Sequence, residues 1–252
     1  MHFLNNWIKK TLIAYKFAQN SKIMEFQNYW YIIILFVVAV SAFLIVFKKP
    51  GTFLTELKYM IPAIIFSGTV FIMLNIRFLK SGIISYNSAF LSGARLLNLP
   101  VEEWLFLLVI SLLSFAIYQQ VKIKFDNFEK PKLFLAVSLV LLVVFGLVAW
   151  FSRSKPVTFF IFFLLTVYLG YTVFRNRFKQ HITKFYIALL ISVIPFFLFK
   201  GILNSLPVIL YDNMYNLGIQ IYGVPVEDFG YFFLLMLMNI TIFEYLRGSR
   251  IY

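Results

Sequence analysis

Two short acidic motifs contain the residues of this chain most capable of chemistry. The sequence Pro-Val-Glu-Glu at 100–103 and the sequence Pro-Val-Glu-Asp at 225–228 each place adjacent carboxyls at the head of an apolar, aromatic stretch. A carboxyl close to hydrocarbon resists ionisation and can act as a general acid. A second carboxyl beside it strengthens this effect, so one site can hold both an acid and a base. The predicted acid/base set is Glu102, Glu103, Glu227 and Asp228, and the first proton donor among them stays open.

A structural role explains one such motif equally well. Proline is favoured at the first position of a helix, and acidic side chains in the first turn interact well with the helix dipole. A single copy would therefore favour helix initiation. Two copies, which together use four of the ten acidic residues, favour a shared function.

The two motifs belong to an internal repeat. An offset of 125 residues superimposes them and also places Tyr86 on Tyr211 and Gly93 on Gly218, without a gap. Each motif then continues into an aromatic, apolar helix. The repeat predicts two homologous units, and an acidic motif in each.

Other polar residues lie inside or at the edge of apolar segments, and polar groups there are expected to face a bundle interior. Asn75, Arg77 and Asn239 belong to this set with the acids. For Asn239 the favoured role is a hydrogen bond between helices. For Lys200 the favoured interpretation is a lysine that reaches the membrane interface, and the alternative is a counter-ion to a motif carboxylate.

Several kinds of chemistry lack the residues they need. The chain has no cysteine and only two histidines, His2 and His181, so thiolate chemistry is excluded and a histidine metal site is disfavoured. No glycine-rich dinucleotide fingerprint follows a strand. We therefore expect neither a cofactor nor a metal.

The composition places the acidic motifs in a membrane. Of the 252 residues, 62% are hydrophobic, whereas soluble domains contain roughly 45–50% apolar residues. The net charge of +13 comes mainly from short segments between apolar runs, which favours contact with lipid headgroups over nucleic-acid binding. Seven apolar runs approach the roughly 20 residues of a membrane-spanning helix: 29–47, 59–76, 100–118, 132–151, 156–174, 183–203 and 224–246.

These runs predict an all-α membrane protein of about seven transmembrane helices. An N-terminal extension (1–28), with Met1 or Met24 as its start, precedes a first three-helix repeat (29–118). A linker with a lipid-facing helix four (119–155) joins it to a second three-helix repeat with the C-terminal tail (156–252). Because one helix separates the repeats, both have the same orientation and both motifs face the same side of the membrane. We expect an integral, multi-pass protein, in a prokaryotic cell membrane.

At these residues the sequence resembles the small membrane lycopene cyclases of bacteria, archaea and fungi. These proteins have two homologous halves, which occur as separate chains or fused. The resemblance spans about residues 24–247. It is strongest from Asn204 through the second motif to Asn239, and its first-half counterpart runs from Tyr86 through the first motif to Phe106.

The resemblance implies a redox-neutral isomerisation of lycopene, an intramolecular lyase activity. The open end groups would close to β-type rings, which gives γ-carotene and then β-carotene, although β and ε rings stay open from the residues themselves. The implied partners are lycopene or a related carotenoid in the bilayer and the membrane lipids. The implied acid/base residues are the four motif acids, without a cofactor.

The main alternative is a non-catalytic membrane protein that binds or transports a carotenoid or a retinal-like apolar ligand. A retinal photoreceptor normally needs a lysine in helix seven, and residues 224–246 contain none. A membrane prenyltransferase would need aspartate-rich motifs for magnesium and diphosphate. The three aspartates of this chain, Asp126, Asp212 and Asp228, are far apart.

Overall fold

The structure, a computed structural model, describes residues 27–46, 50–175, 178–212 and 214–248. Within these residues the chain forms seven α-helices. Six are long and apolar enough to cross a membrane, and the first is shorter, at 17 residues. The helices are α1 (Trp30–Val46), α2 (Pro50–Lys80), α3 (Val101–Lys124), α4 (Pro131–Phe151), α5 (Pro156–Phe174), α6 (Ile182–Ser205) and α7 (Val226–Gly248).

The predicted all-α membrane fold is thereby confirmed. The helices exceed their predicted bounds mainly where polar residues extend an apolar run: α2 begins at Pro50, before Glu56 and Lys58, and α3 continues to Lys124. An apolar run marks the part of a helix inside hydrocarbon, whereas the backbone hydrogen bonds continue into the interface. The predicted extension, 1–28, and the choice of Met1 or Met24 lie outside the described residues, except for 27 and 28.

Two central helices organise the bundle. Helix α3 packs against α1 of its own repeat and α6 of the other, and α7 packs correspondingly against α5 and α2. Helix α4 packs mainly against α5 and leaves most of its apolar side chains exposed. An exposed apolar surface of this kind agrees with the predicted lipid-facing linker helix, whose contact with lipid stays a prediction.

In the described part of the chain, six short strands, which the sequence did not predict, lie between the helices. They are too short to show the alternation by which a strand is recognised. The strands are β1 (Ile84–Tyr86), β2 (Arg95–Leu96), β3 (Leu99–Pro100), β4 (Ile209–Tyr211), β5 (Gln220–Ile221) and β6 (Val224–Pro225). Two hairpins, β2–β3 and β5–β6, precede α3 and α7, and β1 pairs with β4.

The pairing of β1 with β4 relates the two repeats by an approximate two-fold axis. The strands are antiparallel, and Ser85 lies opposite Leu210, its equivalent at the 125-residue offset. The hydrogen bonds beyond the strands repeat in the same way: the Asn87 amide donates to the Val208 carbonyl, and the Asp212 amide donates to the Ile83 carbonyl. The axis therefore passes between the equivalent strands and brings the two motifs to the same end of the bundle.

Candidate active site

A tight hairpin positions each acidic motif. Leu97 and Asn98 have positive φ angles of 52° and 65°, and their equivalents Tyr222 and Gly223 have 48° and 82°. Positive φ at both central residues is typical of the two-residue turn that matches the twist of a hairpin. The second strand of each hairpin ends at the motif proline, and the helix begins at the next residue. Each acid pair therefore occupies the first turn of a central helix.

The first acid of each motif binds the loop of its own repeat. Glu102 Oε1 accepts a hydrogen bond of 2.7 Å from the Ser92 amide, and Glu227 Oε1 accepts one of 2.8 Å from the Leu217 amide. Thr158 Oγ1 also donates to Glu227 Oε1, at 2.6 Å. Both carboxyls are buried, and their Oε2 atoms have no hydrogen-bond partner among the described residues. These two acids fasten the loop before the hairpin to the start of the helix.

The second acid of the first motif has neutral partners. The Tyr31 hydroxyl, on α1, donates to Glu103 Oε1 at 2.8 Å. Asn75, on α2, donates from Nδ2 to Glu103 Oε2 and to the Tyr231 hydroxyl, both at 3.3 Å. Glu103 and Asn75 are 4% and 6% exposed, so this cluster is shielded from water.

The second acid of the second motif lies beside a cation. Lys200 Nζ, on α6, is 3.4 Å from Asp228 Oδ2 and 5.3 Å from the centre of the Phe106 ring. Because Lys200 is only 5% exposed, the prediction that it reaches the interface is wrong. The counter-ion alternative is confirmed, since the start of α7 brings a carboxylate within ion-pair distance of this end of α6.

Asn75 and Lys200 are equivalent positions at the 125-residue offset, and so are Phe106 and Tyr231. Each residue of the first pair contacts the second acid of its own motif and the aromatic ring of the other repeat. This exchange follows from the packing of each central helix on the second helix of the opposite repeat. The two repeats therefore build one site together.

A small cavity of about 40 Å³ lies between these groups. Its polar wall includes Glu103, Asp228 and Lys200, and its apolar wall includes Val157 and Ile161. This volume holds a few waters at most, so a carotenoid end group would need the surrounding side chains or helices to move. The other lining residues are Asn75, Phe78, Ile84, Tyr86, Phe106, Ile209, Glu227 and Tyr231.

Tyr86, on β1, adds a neutral hydroxyl to this cavity. Burial raises the pKa of Tyr86 well above its usual value, and the nearby Glu103 carboxyl raises it further. The phenol is therefore protonated at neutral pH. Together with Phe106 and Tyr231 it gives the cavity aromatic faces, which attract positive charge.

The structure brings three of the four predicted acids, Glu103, Glu227 and Asp228, to this cavity, whereas Glu102 lies outside its lining. Asn75 faces the interior as predicted, but Arg77 is exposed in the last turn of α2. That prediction was wrong because the end of the helix leaves its side chain free to turn outward.

Other expectations concern the helix contacts and the partners of the acids. Asn239 hydrogen-bonds Ser67 on α2 at 2.6 Å and Ser111 on α3 at 2.8 Å, so its predicted role between helices is confirmed. Sequence reasoning missed Tyr31 and Thr158 as partners of the acids. A lone hydroxyl in an apolar run gives no signal by itself, and neither residue has a hydroxyl at its repeat equivalent.

The match to a protein family follows the same two repeats. The model of the family described as "Lycopene cyclase" matches residues 28–121 and 154–246, which is well over half of the chain. The chain belongs to the lycopene cyclase family. No curated protein matches it, and no solved structure does.

The family match explains the division of this lycopene cyclase family member into two units. The first matched region contains α1–α3 and the second contains α5–α7, so the unmatched segment between them contains α4. Each region includes one hairpin and one acidic motif. The resemblance first seen in the motifs is thereby confirmed, and membership supports a role in carotenoid cyclisation by an integral membrane protein.

Proposed function

We propose that this protein is a lycopene β-cyclase, which closes the two open end groups of lycopene in succession to give γ-carotene and β-carotene. The observation that carries the proposal is the shared cavity. Two acids from equivalent positions of the repeats, Glu103 and Asp228, line one buried space that also has an apolar wall. This arrangement suits proton transfer to and from a hydrocarbon.

In the proposed reaction each end group of lycopene gains one proton and later loses one. A carboxylic acid adds its proton to the terminal carbon–carbon double bond, and a tertiary carbocation forms. The neighbouring internal double bond attacks this cation, which forms the ring bond and moves the positive charge into the ring. A carboxylate then removes a ring proton, and a ring double bond remains. No electrons are exchanged with another molecule, so the product is an isomer of lycopene and no redox cofactor is needed.

The walls of the cavity support this chemistry. Aromatic faces stabilise positive charge that develops beside them, and Phe78, Phe106 and Tyr231 line the cavity. The side chains around the acids exclude water, which would otherwise capture the cation as an alcohol. The position from which the base removes the proton decides the ring type, and β rings are part of the proposal, as is a prokaryotic cell membrane as its location.

Expression in a host that accumulates lycopene tests the proposal. We expect chromatography of the pigments to show γ-carotene and β-carotene, and lycopene alone in cells with an empty vector. Glu103→Gln with Asp228→Asn is the matched control, because it keeps the shape of the site and removes both carboxyls. Products with ε rings would show that the protein is a cyclase but would overturn the β assignment. Unchanged lycopene in cells that contain correctly inserted protein would overturn the proposal.

A second experiment separates catalysis from carotenoid binding. Purified protein in liposomes that contain lycopene is incubated in buffer alone, and we expect ring formation. Strict dependence on an added flavin or nicotinamide would contradict the cofactor-free reaction. Lycopene that copurifies with the protein but never changes would favour the non-catalytic alternative, a carotenoid-binding or transport protein.

A further inference from the structure

The two repeats surround equivalent acids with different neighbours. The contacts of Glu102 with Ser92 and of Glu227 with Leu217 repeat across the axis, as do the hairpins. Features that repeat in this way act alike on both halves. The described contacts of the second acids, Glu103 and Asp228, differ in charge at one pair of equivalent positions. Glu103 contacts the neutral Asn75, whereas Asp228 contacts the cation Lys200.

We infer that Lys200 and Asn75 are positioning residues that give the two acids different roles. Lys200 keeps Asp228 ionised as the carboxylate base, and Asn75 leaves Glu103 protonated as the proton donor. This inference rests on the proposed cyclase function and names the roles within its site. It concerns the residues at positions 75 and 200, which act through the acids.

The number of buried charges supports this division. Among the described residues that line the cavity, Lys200 is the one cation, whereas Glu103, Glu227 and Asp228 are three acids. A buried ion needs a partner of opposite charge, since an uncompensated charge in a site of low dielectric is costly. One ammonium compensates one carboxylate. Lys200 is within ion-pair distance of Asp228, so Asp228 is the acid that the cation favours as an anion.

The contacts of Glu103 complete the argument. Its described hydrogen-bond partners are the neutral Tyr31 hydroxyl and the Asn75 amide. Lys200, Asp228 and Glu102 are all near enough to interact with it electrostatically. The ammonium also favours the Glu103 anion, but it lies within ion-pair distance of Asp228, and a negative charge on Asp228 or Glu102 disfavours a second anion beside it. With Asp228 ionised, Glu103 is therefore the acid that keeps its proton.

The other groups that face this pair are the same in every variant of the test. They are Tyr31 on α1, Glu102 on α3, Tyr86 on β1, and Glu227 and Tyr231 on α7. The three tyrosines are neutral at neutral pH in their free form. A change in pH dependence that follows substitution at position 75 or 200 therefore reports the charge at that position.

The test measures lycopene conversion against pH in liposomes, normalised to folded protein. A base acts only when it is ionised, so conversion falls as the pH is lowered through the pKa of that base. This fall is the acidic limb of the pH profile. Lys200→Asn removes the ammonium, so we expect this limb to move to higher pH by about one unit or more. Lys200→Met, which keeps the aliphatic stem, makes the same test if the asparagine variant does not insert.

Two controls separate charge from packing. Lys200→Arg keeps the charge and should leave the acidic limb at the wild-type pH. Lys184→Asn removes an equally buried cation from the same helix, at the opposite end of the bundle, where Lys184 binds Glu129 and backbone carbonyls. We expect that variant to keep the wild-type limb, even if its stability falls.

Asn75→Lys makes the reverse test. An ammonium beside Glu103 stabilises its carboxylate, so the acid loses its proton at lower pH and the basic limb of the profile should move down by about one unit or more. Wild-type conversion establishes the cyclase whatever the variants do. A wild-type enzyme that is active, with an acidic limb that Lys200→Asn and Lys200→Met do not move, would overturn the inference alone.

Discussion

The four motif acids have the same chemical group and almost the same burial, yet they have different contacts. Glu102 and Glu227 each accept a backbone amide of the preceding loop. Glu103 and Asp228 instead contact side chains from other helices, across the site. Adjacent positions in a helix turn point about 100° apart, so the first acid of each pair reaches the loop and the second faces the cavity. Glu227 does both, since it binds the Leu217 amide and also lines the cavity.

This difference predicts unequal effects of isosteric substitution. Glu103→Gln and Asp228→Asn remove an acid or base from the cavity, and we expect conversion to fall by about a hundredfold or more. Glu102→Gln keeps an oxygen that accepts the Ser92 amide, and Glu227→Gln does the same for Leu217, so their conversion should fall much less. Pigment analysis of the four single variants, normalised to inserted protein, measures the difference.

The first acids serve as the matched controls for the second acids. If all four variants retain nearly wild-type conversion, the motifs only start helices and fasten loops. If Glu102→Gln is as damaging as Glu103→Gln while the protein stays folded, the division between loop-binding and cavity acids is wrong.

At the scale of residues, the sequence identifies the candidate site residues, but it predicts their contacts less well. The duplicated motif identifies the acids, but the position of Lys200 near a helix end predicts a lysine at the interface, because a lysine there usually extends to it. The same 125-residue offset places Asn75 on Lys200. Two polar residues at equivalent positions inside apolar helices are the signal that predicts a shared site, and it is available without the structure.

At the scale of elements, the helices were predictable and the strands were not. Apolar runs of sufficient length predict membrane helices directly. The strands β1 and β4 pair across more than a hundred residues of sequence, and each has three residues. Nothing local predicts such a pairing, because each strand is completed only by the other repeat.

One polar link between helices should contribute measurably to stability. Asn239 on α7 joins Ser67 on α2 and Ser111 on α3, and all three are buried. Ser67→Ala removes one bond, and we expect it to lower the free energy of unfolding by about 0.6–1.7 kcal/mol, as for hydrogen bonds between membrane helices. Denaturation in lipid-detergent micelles measures this change.

Ser192 is the matched control for Ser67, since the two are equivalent at the 125-residue offset. Its Oγ is buried without a hydrogen-bond partner among the described residues. Ser192→Ala should therefore leave the free energy of unfolding unchanged or raise it. A larger loss for Ser192→Ala than for Ser67→Ala would contradict the role of the Asn239 link.

The apolar wall of the cavity should control access of the carotenoid end group. Val157, on α5, is 4% exposed and lines the cavity. Val157→Phe adds a ring to a space of about 40 Å³, and we expect conversion at limiting lycopene to fall by about tenfold or more, as for bulk added to an apolar pocket. Ile32→Phe, at the equivalent position of α1, is the control, and equal losses in both variants would show a general packing defect.

At the scale of the whole molecule, polar contacts join the repeats at both ends of the bundle. Opposite the acidic site, Lys122 Nζ is 2.7 Å from Glu244, and Arg247 is 3.0 Å from Glu56. Lys122 and Arg247 are equivalent at the 125-residue offset. Burial lowers the pKa of His181 nearby, although Glu244 opposes this, so its imidazole is neutral at neutral pH. The charged contacts between the repeats at this end are therefore Lys122 with Glu244 and Arg247 with Glu56.

The same symmetry predicts which loops lie on the same side of the membrane. The hairpin residues Leu96 and Ile221 are equivalent, and both are exposed. The loop after α3 lies at the opposite end of that helix, where Asn127 is exposed. Because the natural sequence has no cysteine, single cysteines at these positions can be labelled without background.

We therefore expect a membrane-impermeant thiol reagent to label Leu96→Cys and Ile221→Cys from one side of the membrane and Asn127→Cys from the other. The reason is that four helices separate the two hairpins, which returns the chain to the side where it began, whereas α3 alone separates Leu96 from Asn127. Labelling in intact cells, compared with labelling after permeabilisation, reads the side for each variant. Retained pigment conversion shows that each variant is folded. Opposite sides for Leu96→Cys and Ile221→Cys would mean that the repeats are inverted, and Glu103 and Asp228 would then belong to different membrane faces and could not act in one site.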